Sequence, residues 1–300
     1  MTRRPQIALL ADGKRLHLQD GPIDLIVEAN GREVDVRAAY DAAARRFPGL
    51  LDELCAELAE LRRAADPART ELKGVIARRM YAAVAPFAAG CFITPMAAVA
   101  GSVAEEILGA MLAVAPLDRA YVNNGGDIAL HLAGAAQFTV GLVDRPDAHG
   151  VMRTMTIYAD DSARGIATSG RHGRSFSLGI ADAVTVLART ASQADAAATV
   201  IANAVDLPGH PAIRRVPANE LQSDSDLGDR LVTRNVGALM EGEIEAALEA
   251  GSRRAQQLLT AGLIEGAALR LLGETVVVGA REIAAPHPLH KAQIQHAIHA

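Results

Sequence analysis

The stretch ADAVTVLARTASQADAAATVIANAVD, residues 181–206, carries the sharpest local signal in the chain. Its first part, ADAVTVLA, predicts a β-strand that ends near Arg189. Its second part predicts a helix that begins after Ser192 and runs to about Val205. The stretch therefore predicts a strand that leads almost directly into a helix.

The predicted helix carries a polar pair near its start. Asp195 and Thr199 are four residues apart, so they share one face of the helix. A carboxylate and a hydroxyl on one face, joined by loop carbonyls, suit a hard cation such as magnesium or calcium, and the helix N-terminus would attract a phosphate. The alternative is a capping box, Ser192-x-x-Asp195, in which Asp195 stabilises the first turn and Thr199 is an ordinary helix residue.

Segments typical of strands and of helices are mixed along the chain without a regular βαβ alternation, which favours one α+β unit over a doubly wound fold. Asn30-Gly31 is a hairpin signal between two predicted strands, and Pro48-Gly49 interrupts the first helical region. The predicted strands are 15–19, 22–29, 33–38, 119–123, 127–132, 137–143, 152–159, 164–169, 181–188 and 274–284. The predicted helices are 37–66, 72–89, 102–115, 193–205 and most of 231–270. We therefore expect a single domain over residues 1–300, with an ordered core at about 15–285.

The composition of the 300 residues, 50% hydrophobic and 22% charged, is typical of globular proteins. The formal charge of −5 argues against nucleic acid as a partner, because neutralising phosphates needs a basic face. No stretch reaches the roughly 18 uninterrupted apolar residues of a membrane span. Asp12 and Lys14 interrupt the first apolar run before a secretory core could form. We therefore expect a cytoplasmic protein that binds neither nucleic acid nor a membrane.

The cysteines and histidines give weaker signals. Two cysteines exclude a disulfide framework and a cysteine-built zinc site. Cys55 follows the helical spacing of its leucine neighbours, and both it and Cys91 are expected to be small buried residues. Four histidines crowd the C-terminus, as a metal site or as a loose polar tail: His287, His290, His296 and His299.

A second motif is the turn Asn123–Asp127, with the sequence NNGGD. Two glycines allow a backbone to approach a ligand closely, and their amides can face a phosphate or a ribose. The alternative is a plain hairpin turn, which uses the same residue types. The residues alone leave both interpretations open.

A third motif is the loop in which ATSG, residues 167–170, continues into RHGRS, residues 171–175. Hydroxyl groups, glycines and two arginines in one loop suit an anionic ligand. A solvated basic loop is the alternative. Ser169 is not predicted to be a hydrolase nucleophile, because the G-x-S-x-G pattern is absent.

Three motifs in this order, VNNGGDI, ATSG and ADAAATVIANA, resemble the ApbE-like superfamily, whose best-known members are magnesium-dependent FAD:protein FMN transferases. The stretches RLHLQDGPIDLIVEANG, ITPMAAVAG and RSFSLGIADAVTVLA are more similar to an uncharacterised branch of that superfamily. The resemblance covers roughly residues 15–280. It implies an α+β, ApbE-like fold with mixed, mostly antiparallel sheets wrapped by helices.

The resemblance also implies roles for particular residues. The implied magnesium ligands are Asp195, Thr199 and the backbone carbonyl of Val99. Matched turn and loop residues, with their neighbours, are the candidate binding residues for FAD or a related nucleotide: Asn124, Gly125, Gly126, Asp127, Thr168, Ser169, Gly170 and Arg174.

The chain departs from the transferases at two places. Val99-Ala100-Gly101 stands where they carry A-K-G, so the lysine is missing, and RSFSLGIADA replaces a segment that contains a histidine, with Ser177 near the histidine position. The expected function is therefore a magnesium-dependent enzyme acting on a flavin nucleotide or another phosphorylated small molecule, without FMN transfer to protein. The alternatives are a non-catalytic flavin or nucleotide binder and a different small-molecule enzyme on the same scaffold. A homo-oligomer is compatible with each.

Overall fold

A computed structural model describes residues 4–66, 72–143 and 151–279, and a nine-stranded sheet is its largest element. The strands in chain order are β1 (Gln6–Leu9), β2 (Leu16–Asp20), β3 (Ile23–Asn30), β4 (Arg119–Asn124), β5 (Asp127–Leu132), β6 (Gln137–Val143), β7 (Val151–Tyr158), β8 (Gly165–Ser169), β9 (Ala183–Ala188), β10 (Ile213–Pro217), β11 (Leu231–Val236), β12 (Gly266–Leu271) and β13 (Glu274–Val278). The large sheet has the order β1-β2-β3-β4-β5-β8-β9-β12-β13, and its neighbours pair antiparallel. Two further antiparallel ladders join β6 to β7 and β10 to β11. The expected α+β class with mostly antiparallel sheets is confirmed.

The helices lie between these strands in the chain. They are α1 (Glu33–Arg46), α2 (Leu50–Ala56), α3 (Leu58–Leu61), α4 (Val75–Val84), α5 (Val99–Leu112), α6 (Ala191–Ala204), α7 (Ala218–Leu221) and α8 (Glu241–Thr260). A 3₁₀ turn at Pro95–Ala98 leads directly into α5. The strand and helix predicted for residues 181–205 are confirmed as β9 and α6.

The two faces of the large sheet are covered by different elements. Neighbouring residues of a strand point to opposite faces. Ala129 and Ala167 belong to the main core, which the helices share, whereas Leu130 and Ile166 pack with Ile157 of β7. Helices therefore cover one face of the sheet, and the β6–β7 ladder covers part of the other.

The predicted hairpin at Asn30-Gly31 is wrong, because its second strand, residues 33–38, is the start of α1. Acidic residues in the first turn and arginines in the last turn of α1 suit the helix dipole. Strand β3 pairs with β2 and with β4, which arrives about ninety residues later in the chain. Pairing between distant segments therefore overrides the local hairpin signal.

The prediction of a mostly helical region over 231–270 is also wrong at its two ends. Residues 231–236 form β11, which pairs with β10, and residues 266–271 form β12, which lies between β9 and β13. Only α8 between them is helical. Of the predicted strand 274–284, β13 is confirmed, and residues 280–284 lie outside the described residues.

Both cysteines are exposed, contrary to the prediction of burial. Leu50, Leu51 and Leu54 form the buried side of α2, and Cys55 lies outside that side. Cys91 lies in the segment after Phe87, and its thiol donates to the Phe87 carbonyl oxygen at 3.6 Å.

One stretch of the described chain, Pro95–Leu112, has the length and mean hydropathy (1.3) of a membrane-spanning helix, judged by length and composition alone. Half of it is buried inside the protein, and it contains Glu105 and Glu106. Its α5 part packs on α6, β4 and β5. This packing accounts for its apolar composition.

Helices α5 and α6 approach each other closely at their N-terminal ends. A Cβ atom on Gly101 of α5 would lie 2.3 Å from the carbonyl oxygen of Ala191, and one on Gly165 of β8 would lie 2.1 Å from the carbonyl carbon of Thr190. Real Cβ atoms do not approach backbone atoms so closely. The start of α6 therefore fits between two glycine backbones.

We expect Gly101→Ala to lower the free energy of unfolding by about 1–3 kcal/mol, because the added methyl must displace backbone. Gly109→Ala in the same helix is the matched control, since a Cβ there meets nothing within 4 Å, and it should stabilise by up to about 1 kcal/mol. Urea unfolding of both variants tests the pair. Equal effects of the two substitutions would contradict the close approach.

Candidate functional site

The N-terminal ends of α5 and α6 exchange carboxylates. Asp195 of α6 accepts a hydrogen bond through Oδ2 from the Gly101 amide at 3.0 Å, and Glu105 of α5 accepts one through Oε1 from the Ser192 amide at 2.6 Å. Glu105 also lies 3.3 Å from Nε of Arg79. Amides at a helix N-terminus have no partner within the helix and favour negative charge. Each helix therefore supplies the side-chain oxygen that accepts from an amide at the start of the other.

The capping-box interpretation of Ser192 and Asp195 is wrong. Thr190 is the N-cap of α6, and its hydroxyl accepts from the Gln193 amide at 3.3 Å, while Asp195 reaches across to α5. The Ser192 and Gln193 amides are thus paired with protein oxygens already. They are not open to a phosphate, as the sequence had suggested for this helix end.

The NNGGD motif forms a two-residue hairpin between β4 and β5, with Asn124 opposite Asp127. Gly125 and Gly126 have φ values of 65° and 108°, which glycine adopts at little cost. The Asn124 side chain donates to the Ala100 carbonyl oxygen at 3.2 Å, which ties the hairpin to the start of α5. The predicted hairpin turn is confirmed. The hydrogen bond between Asn124 and Ala100 also places Asp127, opposite Asn124 in the hairpin, near the start of α5.

Asp127 and Asp195 influence each other's charge. Burial raises the pKa of Asp195 to about 7, although amides of Gly101 and Ala100 stabilise its ionised form. Burial raises the pKa of Asp127 well above its usual range, and the charge of Asp195 adds to this rise, while the Thr168 amide and Arg174 oppose it. Two carboxylates that repel each other away from water favour a shared proton or a bound cation.

The ATSG loop completes the site from β8. The Thr168 amide donates to Oδ1 of Asp127 at 3.3 Å. Ser169 ends β8, and a Cβ on Gly170 would lie 2.5 Å from the Asp182 carbonyl oxygen. The Arg174 guanidinium lies against the hairpin, since a Cβ on Gly125 would be 2.5 Å from its Nη2 atom. The turn, the loop and α6 are thus brought together around Asp127.

Two of the implied metal ligands lie beside this cluster. Thr199 is one turn beyond Asp195 on α6, and Val99 is the first residue of α5; both are partly buried. Within residues 4–66, 72–143 and 151–279 no group of three or more His, Cys, Asp or Glu side chains could hold a metal ion. A cation here would therefore bind the two carboxylates and complete its shell with hydroxyl, carbonyl, water or ligand oxygens.

Sequence reasoning missed Glu105 and Asp182, and it did not assign a partner to Asp195. Their contacts join residues that are about ninety positions apart, and no local pattern marks them. The C-terminal histidines, His287 to His299, lie outside the described residues.

A family model described as AbpE bacteria matches residues 7–277. A UPF0280 protein of Methanopyrus kandleri is 36% identical over 182 residues, which cover 60% of this chain and 69% of that protein. A UPF0280 protein of Methanobrevibacter smithii is 36% identical over 129 residues, or 43% and 51% of the two chains. The chain thus spans about half of the second relative's length.

Two solved structures are similar over most of the chain. The ApbE protein of Thermotoga maritima has a TM-score of 0.43 and 14% identity, covering 94% of this chain and 97% of its own. The apo form of the Pseudomonas stutzeri flavinyl transferase ApbE has a TM-score of 0.39 and 11% identity, covering 92% and 94%. At these scores neither structure contributes a residue role to this chain.

The raised pKa of Asp195 makes stability depend on pH. Its folded-state pKa of about 7 exceeds the unfolded value of about 3.9, so between these values the folded protein holds a proton that the unfolded chain has released. Stability from this group is greatest below about pH 4 and falls as the pH rises through about 7. We expect the melting temperature in EDTA to fall as the pH rises from about 4 to about 7, and Asp195→Asn to reduce this fall, the remainder coming from the raised pKa of Asp127.

The matched control is Asp41→Asn, at an exposed position of α1, which should leave the pH dependence of the melting temperature unchanged. A variant Asp195→Asn with the same pH dependence as the unchanged protein would show that the Asp195 carboxylate keeps an ordinary pKa.

Proposed function

Because the chain belongs to the AbpE bacteria family, a branch of the ApbE-like superfamily, we propose that it is a magnesium-dependent enzyme acting on a flavin nucleotide or another phosphorylated small molecule. The observation that carries the proposal is the pair of partly buried carboxylates Asp127 and Asp195, which accept from the Thr168 and Gly101 amides where β5 packs on α5 and α6. The resemblance of the surrounding motifs to FMN transferases supports the ligand class.

Magnesium fits the chemistry of this pair. A cation between the carboxylates would offset their mutual repulsion and the cost of burying them. Magnesium is commonly held by one or two carboxylates together with water and substrate phosphate. Asp127 and Asp195 would hold it, with the Thr199 hydroxyl and the Val99 carbonyl as further oxygens. When bound, the ion would stabilise negative charge that develops at phosphorus.

Arg174 supplies positive charge at the turn of the hairpin. Its guanidinium lies against Gly125, and its charge lowers the pKa of Asp127. A guanidinium can hold phosphate oxygens with two parallel hydrogen bonds. A phosphate on Arg174 would therefore lie next to an ion held by Asp127.

We expect calorimetric titration to show magnesium binding that Asp195→Asn weakens by about tenfold or more, because a carboxylate ligand is lost. The asparagine oxygen can still accept from the Gly101 amide, so the contact between α5 and α6 is kept. Asp41→Asn on α1 is the control and should bind as the unchanged protein does. Equal affinity of all three proteins would contradict a metal site at Asp195.

A second prediction concerns FMN transfer to a protein threonine, which needs a general base. Ala100 offers only a methyl group where the transferases carry lysine. The Ser177 side chain is buried and donates to the Gly179 carbonyl oxygen at 3.3 Å. We therefore expect FAD to bind, and FMN to be transferred at a rate about 10²–10⁴ lower than that of true transferases.

In-gel flavin fluorescence after incubation with FAD, magnesium and a transferase substrate domain measures this transfer. A true transferase on the same substrate domain is the positive control. A covalent fluorescent band formed at the control's rate would show that the protein transfers FMN as the true transferases do.

A further inference from the structure

The loop that follows Gly170 holds two arginines in different surroundings. The Arg171 Nε atom donates to Oδ1 of Asp182 at 2.8 Å, and the two side chains are 17% and 9% exposed. Arg174 is exposed, and among the described residues no carboxylate forms an ion pair with it. The Arg171 guanidinium is therefore held in an ion pair with Asp182, whereas the Arg174 guanidinium is accessible to a ligand.

Asp182 does more than pair with Arg171. Its Oδ2 atom accepts from the Leu272 amide at 2.5 Å, and its Oδ1 atom lies 3.3 Å from Nε2 of His172. Leu272 lies in the turn between β12 and β13 and has a φ of 48°, which is uncommon for a leucine. Asp182 thus joins the arginine loop to a turn in a different part of the sheet.

Backbone hydrogen bonds also connect the arginine loop to β12. The Arg171 amide donates to the Ala181 carbonyl oxygen at 2.9 Å, and the Asp182 amide donates to the Arg270 carbonyl oxygen at 2.9 Å. The loop is therefore fixed at its start, three residues before Arg174. This fixes the place from which the Arg174 side chain reaches the backbone of Gly125.

We infer that Asp182 is a positioning residue, which holds Arg171 and the β12–β13 turn so that Arg174 stays at the hairpin and binds an anionic phosphate group of the ligand. This inference rests on the proposed function. Arg171 could not take that role without leaving the buried Asp182 carboxylate without its guanidinium partner, and breaking a buried ion pair is strongly unfavourable. The two arginines of the motif therefore have separate tasks.

The first test needs no ligand. Phenylglyoxal modifies accessible guanidinium groups, and peptide mass spectrometry gives a rate for each arginine. We expect Arg174 to react and Arg171 to be protected. Asp182→Asn should expose Arg171 to the reagent, because the charged partner is lost. Equal rates at Arg171 and Arg174 in the unchanged protein would overturn the inference.

The second test is a double-mutant cycle on the affinity for inorganic pyrophosphate with magnesium present. If Asp182 acts through Arg174, Asp182→Asn should weaken binding by about tenfold, but by less than about twofold when Arg174→Ala is already present. A merely structural role would give the same loss in both backgrounds, and that result would overturn the inference. If Asp182→Asn does not fold, Arg171→Lys replaces it, because lysine lacks the planar fork that Asp182 holds.

The matched control is Asp35→Asn, since Asp35 is a similarly buried carboxylate that pairs with Arg32 at 2.6 Å on α1. It should not change pyrophosphate affinity. If the unchanged protein binds no pyrophosphate, that result contradicts the proposed function. The modification rates of Arg171 and Arg174 still test whether Asp182 holds Arg171 and leaves Arg174 accessible.

Discussion

The site depends on the contact in which α5 and α6 exchange carboxylates at their N-terminal ends. Asp195 accepts from the Gly101 amide, and Glu105 accepts from the Ser192 amide. The exchange is sterically allowed because Gly101 and Gly165 have no side chains where the start of α6 fits between them. The two side chains provide hydrogen-bond acceptors for amides at the starts of both helices. The same contact fixes the position of the Asp195 carboxylate.

That position has a cost, which connects the fold to the proposed chemistry. Asp195 serves as a cap for α5 but lies near Asp127 in surroundings that disfavour two negative charges. Positive charge nearby reduces the repulsion between the two carboxylates. Arg174 at the hairpin supplies one such charge, and a cation bound by the carboxylates would supply another. A bound cation, as proposed, would offset the unfavourable burial of the two carboxylates, and perturbed carboxylates of this kind are characteristic of functional sites.

The sequence predicted those parts of the site that depend on neighbouring residues. The NNGG turn needs residues with positive φ, and the strand and helix around Arg189 show clear local patterns, so both were predicted correctly. The strand predicted at residues 33–38 was wrong, because β3 pairs with the distant strand β4 and residues 33–38 begin α1. The burial predicted for Cys55 was wrong, because three leucines already form the buried side of α2. Glu105 and Asp182 act on residues about ninety positions away, and only the folded structure reveals such partners.

The proposed function requires Asp127 and Asp195 to bind a divalent cation together. A crystal structure of the protein grown with manganese, which has an anomalous signal and accepts the same oxygen ligands as magnesium, tests it most directly. The proposed function predicts an anomalous peak in contact with both carboxylates, next to Thr199 and the start of α5. Ordered carboxylates without a peak between them, in crystals that contain manganese, would contradict it.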